Sequence, residues 1–582
     1  ASGSGVADLN TIPVEIIERV EVHKGGGAAE FGPEALAGVI NIITQPQSGD
    51  GSQTYTGEHR RGQWGAESLK LSCDNVISSD HLTTRMAVSS RKAVGDFPFT
   101  YNVSPVDTVI EGVRINNRSQ ATSYFGAVTL RTGRYSQLSC SGQIYRSEHG
   151  LPGRAATQNE SASQQDDRDL MTARWSHDWS AGSSVEARLG YSRFYQHFED
   201  RDNVPASRFD TEYDNTVWDA QITNRVAPFR RNQLVVGLQF RHDHLDHADL
   251  LRPTWSMGET NRKSRAIFIS NKQNLDISSL GLANELSLDA AVRYDLAETD
   301  KEPTSLLDQT TGHRVEHWSP RVGMSLSRHG QIELIARASY GKSLQLPAIN
   351  ALFWKNDAVS RGNPGLRPEQ SEHSEAGIEA YTTTGRLQVR AGLTYFHSYV
   401  SDLIVWAQGY QNVWRPENLE AAMLVGHEDF VTVSFSDRLL ELSYQNTITT
   451  SRNRSGTQAV RDRDLTFTPH YITNLAVRLN HRLLYGSYSV RLVGRRYSLP
   501  NNQKYFDAYR LDDLMLGLRL QPWSSWEADI NLRVNNLRDE SYVLISHFPM
   551  PGREVEFGLR VTFGLGDPSP NAQQLNATVE RN

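Results

Sequence analysis

TIPVEIIERVEVHKGGGAAEFGPEALAGVINIIT, running from Thr11 to Thr44, is the most informative stretch of the chain. After Pro13 it reads as a short turn or helix. It then alternates as a strand, with Val20 and Val22 on one face. Gly25-Gly26-Gly27 breaks that strand. Glu30-Phe31-Gly32 reads as a tight turn, because glycine takes positive φ without steric cost. Val39-Ile40-Asn41-Ile42-Ile43-Thr44 is β-branched and apolar and reads as a second, buried strand. Taken alone, this could be a two-stranded piece of a small α+β domain.

The sequence beyond it decides the matter. Pro46 to Gly51 is a hinge, and a long series of period-2 segments follows. Ile332, Leu334, Ala336, Ala338 and Tyr340 form one face of a strand, against Glu333, Arg337 and Ser339. Leu387, Val389, Ala391, Leu393 and Tyr395 repeat the pattern. So do Val555, Phe557, Leu559, Val561 and Phe563, against Glu556, Arg560 and Thr562. Burying such arginines would ruin the core of a soluble sandwich. A lipid-facing outside and a wet inside accept them. Aromatics near segment ends (Tyr191, Phe194 and Tyr195; Tyr485; Tyr505 and Phe506; Tyr542) suit interfacial girdles. Short connections such as Thr132-Gly133 and Thr384-Gly385 alternate with long polar ones such as residues 93–119, 150–166, 249–262, 342–370 and 541–553. The count is about 22 antiparallel strands, the even number expected of a bacterial barrel. The expected fold is an all-β transmembrane barrel over residues 52–563, preceded by a separate N-terminal module, residues 1–48. Residues 564–582 form a Pro/Asn/Gln-rich tail expected to be disordered.

The chain has 582 residues and a formal charge of -7, which gives no reason to expect nucleic acid. No apolar run reaches the length of a membrane-spanning helix. No blade-length repeat supports a soluble propeller. Cys73 and Cys140 sit in apolar alternations about three strands apart, roughly 14 Å at the usual strand spacing. That exceeds disulfide reach, so free thiols are expected. Neither a nucleophile elbow, a zincin motif nor a phosphate loop occurs, so an enzyme is not expected.

The Thr11–Thr44 pattern resembles the end of the plug domain of TonB-dependent outer-membrane receptors, which implies that residues 1–48 are the C-terminal part of a partial plug inside the barrel lumen. Arg19, Glu21, Lys24, Gly25, Gly32, Gly38 and Asn41 carry the likeness. Lys24 stands where the family usually has arginine, and Gly26 where it usually has proline. Two later stretches resemble the same family. Gly341-Lys342-Ser343 through Pro347, then Gly362-Asn363-Pro364 through Glu369, then Glu375 and Gly377 form one, with Gln345 where arginine is usual. Asn535-Asn536-Leu537-Arg538-Asp539 with Tyr542, then Pro551-Gly552-Arg553, form the other. The resemblance implies energised uptake of a scarce chelate across a Gram-negative outer membrane: a ferric siderophore, cobalamin or another metal complex. It leans faintly to the cobalamin-receptor-like members. It implies TonB as partner, through an N-terminal box expected to precede residue 1, a monomer in lipid and lipopolysaccharide, and no intrinsic cofactor. The alternative is a passive channel or a surface-binding barrel.

Candidate ligand contacts are Phe97, Phe99 and Tyr101, an aromatic cluster in a loop read as exposed, with Trp354, Arg361 and Asn363. Each also fits loop packing. His242, His244 and His247 could hold Zn, Cu or Ni, or capture a metal complex. Asp166, Asp167 and Asp169 could bind Ca²⁺ in the outer loops. Glu15, Glu18, Arg19 and Glu21 of the plug are expected to pair with inward arginines such as Arg337, Arg491 and Arg560.

Overall fold

A strand with one apolar and one polar face needs two unlike surroundings, and this chain builds a single wall between them. The computed structural model describes residues 11–12, 17, 19–24, 32, 38–44, 53–77, 81–103, 108–180, 182–201, 208–281, 283–301, 312–353, 361–408, 414–436, 438–455, 460–523 and 525–565. Twenty-two antiparallel strands form a closed barrel, from Gln53–Gly62 to Glu554–Leu565. These two strands pair with each other, Tyr55 opposite Phe563 and Glu58 opposite Arg560, so the sheet has no open edge. The last strand runs two residues past Phe563, and the expected tail beyond it lies outside the described residues.

Strands join through short turns at one end and mostly longer loops at the other. In outer-membrane barrels the long loops face outward. The strands Leu387–Gln408 and Trp414–Phe435 have 22 residues each, whereas about 9–11 tilted residues cross a bilayer. The surplus carries the loop end clear of the membrane.

The outer face is graded along the barrel axis. Leu69, Leu71, Met86 and Leu559 are exposed apolar groups on it. Aromatic pairs come next: Tyr191 with Trp218 at 4.7 Å and Tyr294 with Trp318 at 4.8 Å between ring centroids. Nearer the loops, ion pairs take over: Arg146–Asp169 at 2.7 Å, Arg193–Asp214 at 2.6 Å and Lys342–Glu372 at 2.6 Å. The Tyr294 hydroxyl donates to Glu316 at 2.9 Å, bridging the two zones. An amphipathic ring with its polar tip toward water is the arrangement an interface favours.

Two expectations about the barrel and its connections need correction. Tyr485 is not in a girdle. It lies across Gly517 of the neighbouring strand, where a Cβ would come within 2.1 Å of its ring, and its hydroxyl bonds Asp529. A glycine left a slot on the polar face, and the ring fills it. The 93–119 connection is not plain loop, because Pro98–Val103 pairs with Thr108–Val113 as a hairpin. Cys73 and Cys140 are free, on strands three places apart.

Candidate ligand mouth and plug

The Thr11–Thr44 stretch forms the expected hairpin. Arg19–Lys24 pairs antiparallel with Gly38–Ile43, from Arg19 opposite Ile43 to Lys24 opposite Gly38. Glu21 is its polar node: it accepts from Arg19 Nε at 2.9 Å and from Asn41 Nδ2, on the facing strand, at 3.0 Å. Gly32 has φ of 112°, a conformation that a side chain makes costly. Gly25 lies outside the described residues, and Lys24 is placed by its backbone.

Just before the hairpin the chain is fastened to the inner wall. Gln143 Nε2 donates to the Thr11 carbonyl and Arg168 Nη1 to the Thr11 hydroxyl, both at 2.8 Å. Ile12 and Ile17 pack against Ala87, Phe125 and Ala127. Among the described residues, the inward arginines considered as partners for the plug carboxylates meet acceptors on the wall. Arg337 pairs with Glu379 at 2.7 Å, Arg560 with Glu58 at 2.7 Å, and Arg491 donates to Asn474 at 3.2 Å. Each arginine finds an acceptor one strand away, so the wall satisfies its own charges. Glu15 and Glu18 lie outside the described residues.

At the loop end, residues 346–353 and 361–368 fold inward onto the wall. The one-turn helix Ile349–Phe353 is buried along its whole length. It packs with Leu245, Met257 and Leu366. Arg262 reaches up from the wall, its Nη2 donating to the Pro347 carbonyl at 2.7 Å and its Nε to Thr299 at 2.9 Å. His313 Nε2 bonds the Leu366 carbonyl at 3.0 Å, and burial holds its pKa below the ordinary value. Glu369 Oε1 accepts the Ile404 amide at 2.7 Å, and burial raises its pKa. Asn363 is a bracket, not a free ligand group: Nδ2 donates to the Pro416 carbonyl at 3.0 Å, and Oδ1 accepts from Gly365 and Arg415. Arg361 is exposed at the mouth. Trp354 lies outside the described residues.

Phe97 and Phe99 are likewise not exposed. Both are 6% accessible, packed with Ala155, Trp64, Ile110 and Val543 as a small core beneath three loops. The hairpin hidden in this loop turns them inward, so they organise the mouth and do not present a surface to a ligand. Tyr101 is placed on the first strand of that hairpin by its backbone.

Two buried arginines staple neighbouring loops together, a device the sequence reading missed. Arg114 donates to the Gly153 carbonyl at 2.8 Å and to Gln158 at 3.3 Å. Arg496 donates to the Val543 carbonyl at 2.8 Å and lies over the rings of Phe506 and Tyr509. Burial lowers the pKa of both. The C-terminal motif is also a clamp. Asn536 bonds Asp513 and Glu540, while Asp539 accepts the Arg553 amide at 2.7 Å.

The histidines do not converge. His242 and His244 share Asn261 Oδ1, at 3.2 and 3.1 Å, on one face. His247 is buried on the other, accepting the Met257 amide at 2.9 Å. Five residues on, a strand side chain must point the opposite way. The aspartates split similarly. Asp166 accepts from Gln164 and Gln196, while Asp167 and Asp169 flank Arg146. Among the described residues no three metal-ligating side chains form a group, so neither set fits a Zn, Cu or Ca²⁺ site as placed.

Comparison with known proteins agrees with this architecture. The family model for TonB dependent receptor-like β-barrels matches residues 100–537, and that for the TonB-dependent receptor plug domain matches residues 1–39. The vitamin B12 transporter BtuB of Vibrio vulnificus strain CMCP6 is 24% identical over 97% of this chain and 82% of its own length. BtuB of Photobacterium profundum is 22% identical over 93% and 78%. Among solved structures, the copper transporter OprC superposes with a TM-score of 0.77 at 15% identity, covering 97% of this chain and 88% of its own. The siderophore receptor PiuA of Acinetobacter baumannii gives 0.72 at 15% identity, covering 94% and 86%. A plug hairpin beside a closed 22-stranded barrel, matched by both family models, makes this chain a member of the TonB-dependent outer-membrane receptors.

Proposed function

We propose that this receptor takes up a large, scarce metal chelate by TonB-energised transport, and that a corrinoid is the first class to test. The observation that carries the reading is the seating of the plug. Among the described residues, Thr11 is bonded by Gln143 and Arg168 of the wall, and Ile12 and Ile17 pack against that wall. Such a contact keeps a stopper in place, yet a pull along the chain can break it bond by bond. The relatives' names supply the corrinoid lean, since proteins called vitamin B12 transporters align along nearly the whole chain.

In this mechanism the outer loops and the plug apex receive the ligand. TonB pulls on an N-terminal box, and the plug rearranges to open a path. The chain itself hydrolyses nothing. The metal arrives inside the cargo, and the receptor works as a monomer in the outer membrane of a Gram-negative cell, in contact with lipopolysaccharide.

The chain's 11 tryptophans give a direct test by fluorescence quenching. Protein purified from outer membranes is titrated with cobalamin and with a panel of ferric siderophores. Saturable quenching by cobalamin alone supports the corrinoid reading; saturable quenching by a siderophore moves the cargo and keeps the class. No saturation by any of them, with steady conductance in planar bilayers, would replace the proposal with a passive channel.

A further inference from the structure

The short-turn end of the barrel carries a pattern unrelated to the mouth. Arg134, Arg230, Arg328, Arg386 and Arg482 stand exposed in or beside five of its turns. Among the described residues, none of the five guanidinium groups has a hydrogen bond or ion pair. Arg438 marks a further turn, so arginines stand at four neighbouring turns in succession, those following the strands Gly312–Arg328, Glu369–Thr384, Trp414–Phe435 and Tyr471–Asn480. Acids are few here. Asp276 lies 3.6 Å from Arg231, Glu527 lies 3.6 Å from Arg519, and Asp178 is exposed. The five exposed guanidinium groups thus add cationic charge to this rim, on a chain whose formal charge is -7.

Apolar side chains accompany the arginines. Arg134 is followed by Tyr135, Arg230 is preceded by Phe229, and Arg482 is followed by Leu483; all three apolar groups are exposed, Phe229 by 72%. The Arg134 guanidinium lies 5.5 Å from the centre of the Tyr135 ring. A solvated charged rim needs no large apolar neighbours. A rim at a lipid boundary does, because the ring or aliphatic group enters the acyl region while the guanidinium stays at the depth of the phosphates. Guanidinium is also the cation best matched to phosphate oxygens, which it meets with two parallel donors.

We propose that the short-turn rim binds the headgroups of anionic phospholipids in the leaflet it borders. The arginines supply the charge, and the paired apolar residues set the depth. The surface lies at the far end of the barrel from the mouth, so it is independent of which cargo the receptor carries.

The test uses the full chain in non-ionic detergent, with bound lipid counted by native mass spectrometry. Micellar phosphatidylglycerol and phosphatidylcholine are compared. The expected result is a several-fold preference for phosphatidylglycerol, weakening as salt rises. The preference should collapse when Arg134, Arg230, Arg328, Arg386 and Arg482 are all changed to Gln. It should survive a matched change to Gln at Arg118, Arg154, Arg454, Arg461 and Arg553, which lie at the loop end. Slower electrophoretic migration after heating confirms that each variant enters the experiment as a folded barrel. Equal retention of both lipids by the wild type, or an undiminished preference in the rim variant, overturns the proposal. Displacement of phosphatidylglycerol by millimolar inorganic phosphate also overturns it, in favour of a soluble phosphate ligand.

Discussion

At the residue scale, the mouth depends on polar groups held out of water. Arg496 fills a slot between two rings and donates a hydrogen bond to a carbonyl, and among the described residues no carboxylate pairs with it. A buried cation without an anion carries an uncompensated desolvation cost, so its volume should matter more than its charge. Arg496→Met should stay within about 1 kcal/mol of wild type, whereas Arg496→Ala, which empties the slot, should cost about 2–3 kcal/mol. Protease cleavage within 494–508 under rising urea reads the difference; equal losses would show that the charge is what holds. His313 adds a pH dependence. Its pKa is depressed by burial, so protonation favours the open loop. The stability it contributes is therefore present above its ordinary value of 6.5 and lost as pH falls below it. Cleavage within 346–368 should rise from pH 7.5 to 5.5 in the wild type, and less steeply in His313→Gln. Glu369 titrates on the same loop in the opposite sense, so identical slopes in the two proteins would mean that His313 is not the sensor.

At the element scale, the barrel closes through a ladder of charges. Glu58, 6% exposed, accepts from Arg60 on its own strand and from Arg560 on the last strand, and Arg60 reaches Glu556 at 2.8 Å. Removing the central acid leaves two guanidinium groups facing each other across the seam. Glu58→Ala should cost about 3 kcal/mol, within the range for breaking a buried pair. The exchange Glu58→Arg with Arg560→Glu should recover part of the loss. Urea unfolding followed by electrophoretic migration checks both, and a Glu58→Ala midpoint at the wild-type value would remove the seam's role. The seam also shows what the sequence makes legible. Alternation from Val555 to Phe563 set the strand and its two faces, because lipid and water impose period 2 directly. Which acid each arginine meets was not legible, since that depends on the register of a strand about 500 residues away. Phe97 and Phe99 failed for a related reason: a hairpin within a long loop gives too short an alternation to separate from exposed aromatics. The histidines could have been read correctly, because His242 and His247, five apart, cannot share a strand face.

At the scale of the whole molecule, the question is how a wall this rigid lets anything through. Each strand is hydrogen-bonded on both sides, and the closing pair leaves no edge to slide. Opening by deformation of the barrel would break a whole ladder, whereas the described plug contact, in which Gln143 and Arg168 bond Thr11 and Ile12 and Ile17 pack on the wall, is local. Among the described contacts, this one is the cheaper to release. A covalent tie at this contact should therefore stop transport and spare binding. Thr11→Cys with Arg168→Cys replaces two side chains that meet at 2.8 Å, and a short bifunctional thiol reagent spans the gap left by the missing guanidinium. The native thiols lie elsewhere in the barrel, and Cys73→Ser with Cys140→Ser removes them as a complication. Uptake by cross-linked cells should fall at least about tenfold, which corresponds to about 1.4 kcal/mol or more on the rate-limiting step. A reducible linker should restore uptake after reduction, and fluorescence quenching by the cargo should be unchanged throughout. Full uptake with the tie in place would show that this part of the plug stays seated during transport, and that the path opens by movement elsewhere in the plug.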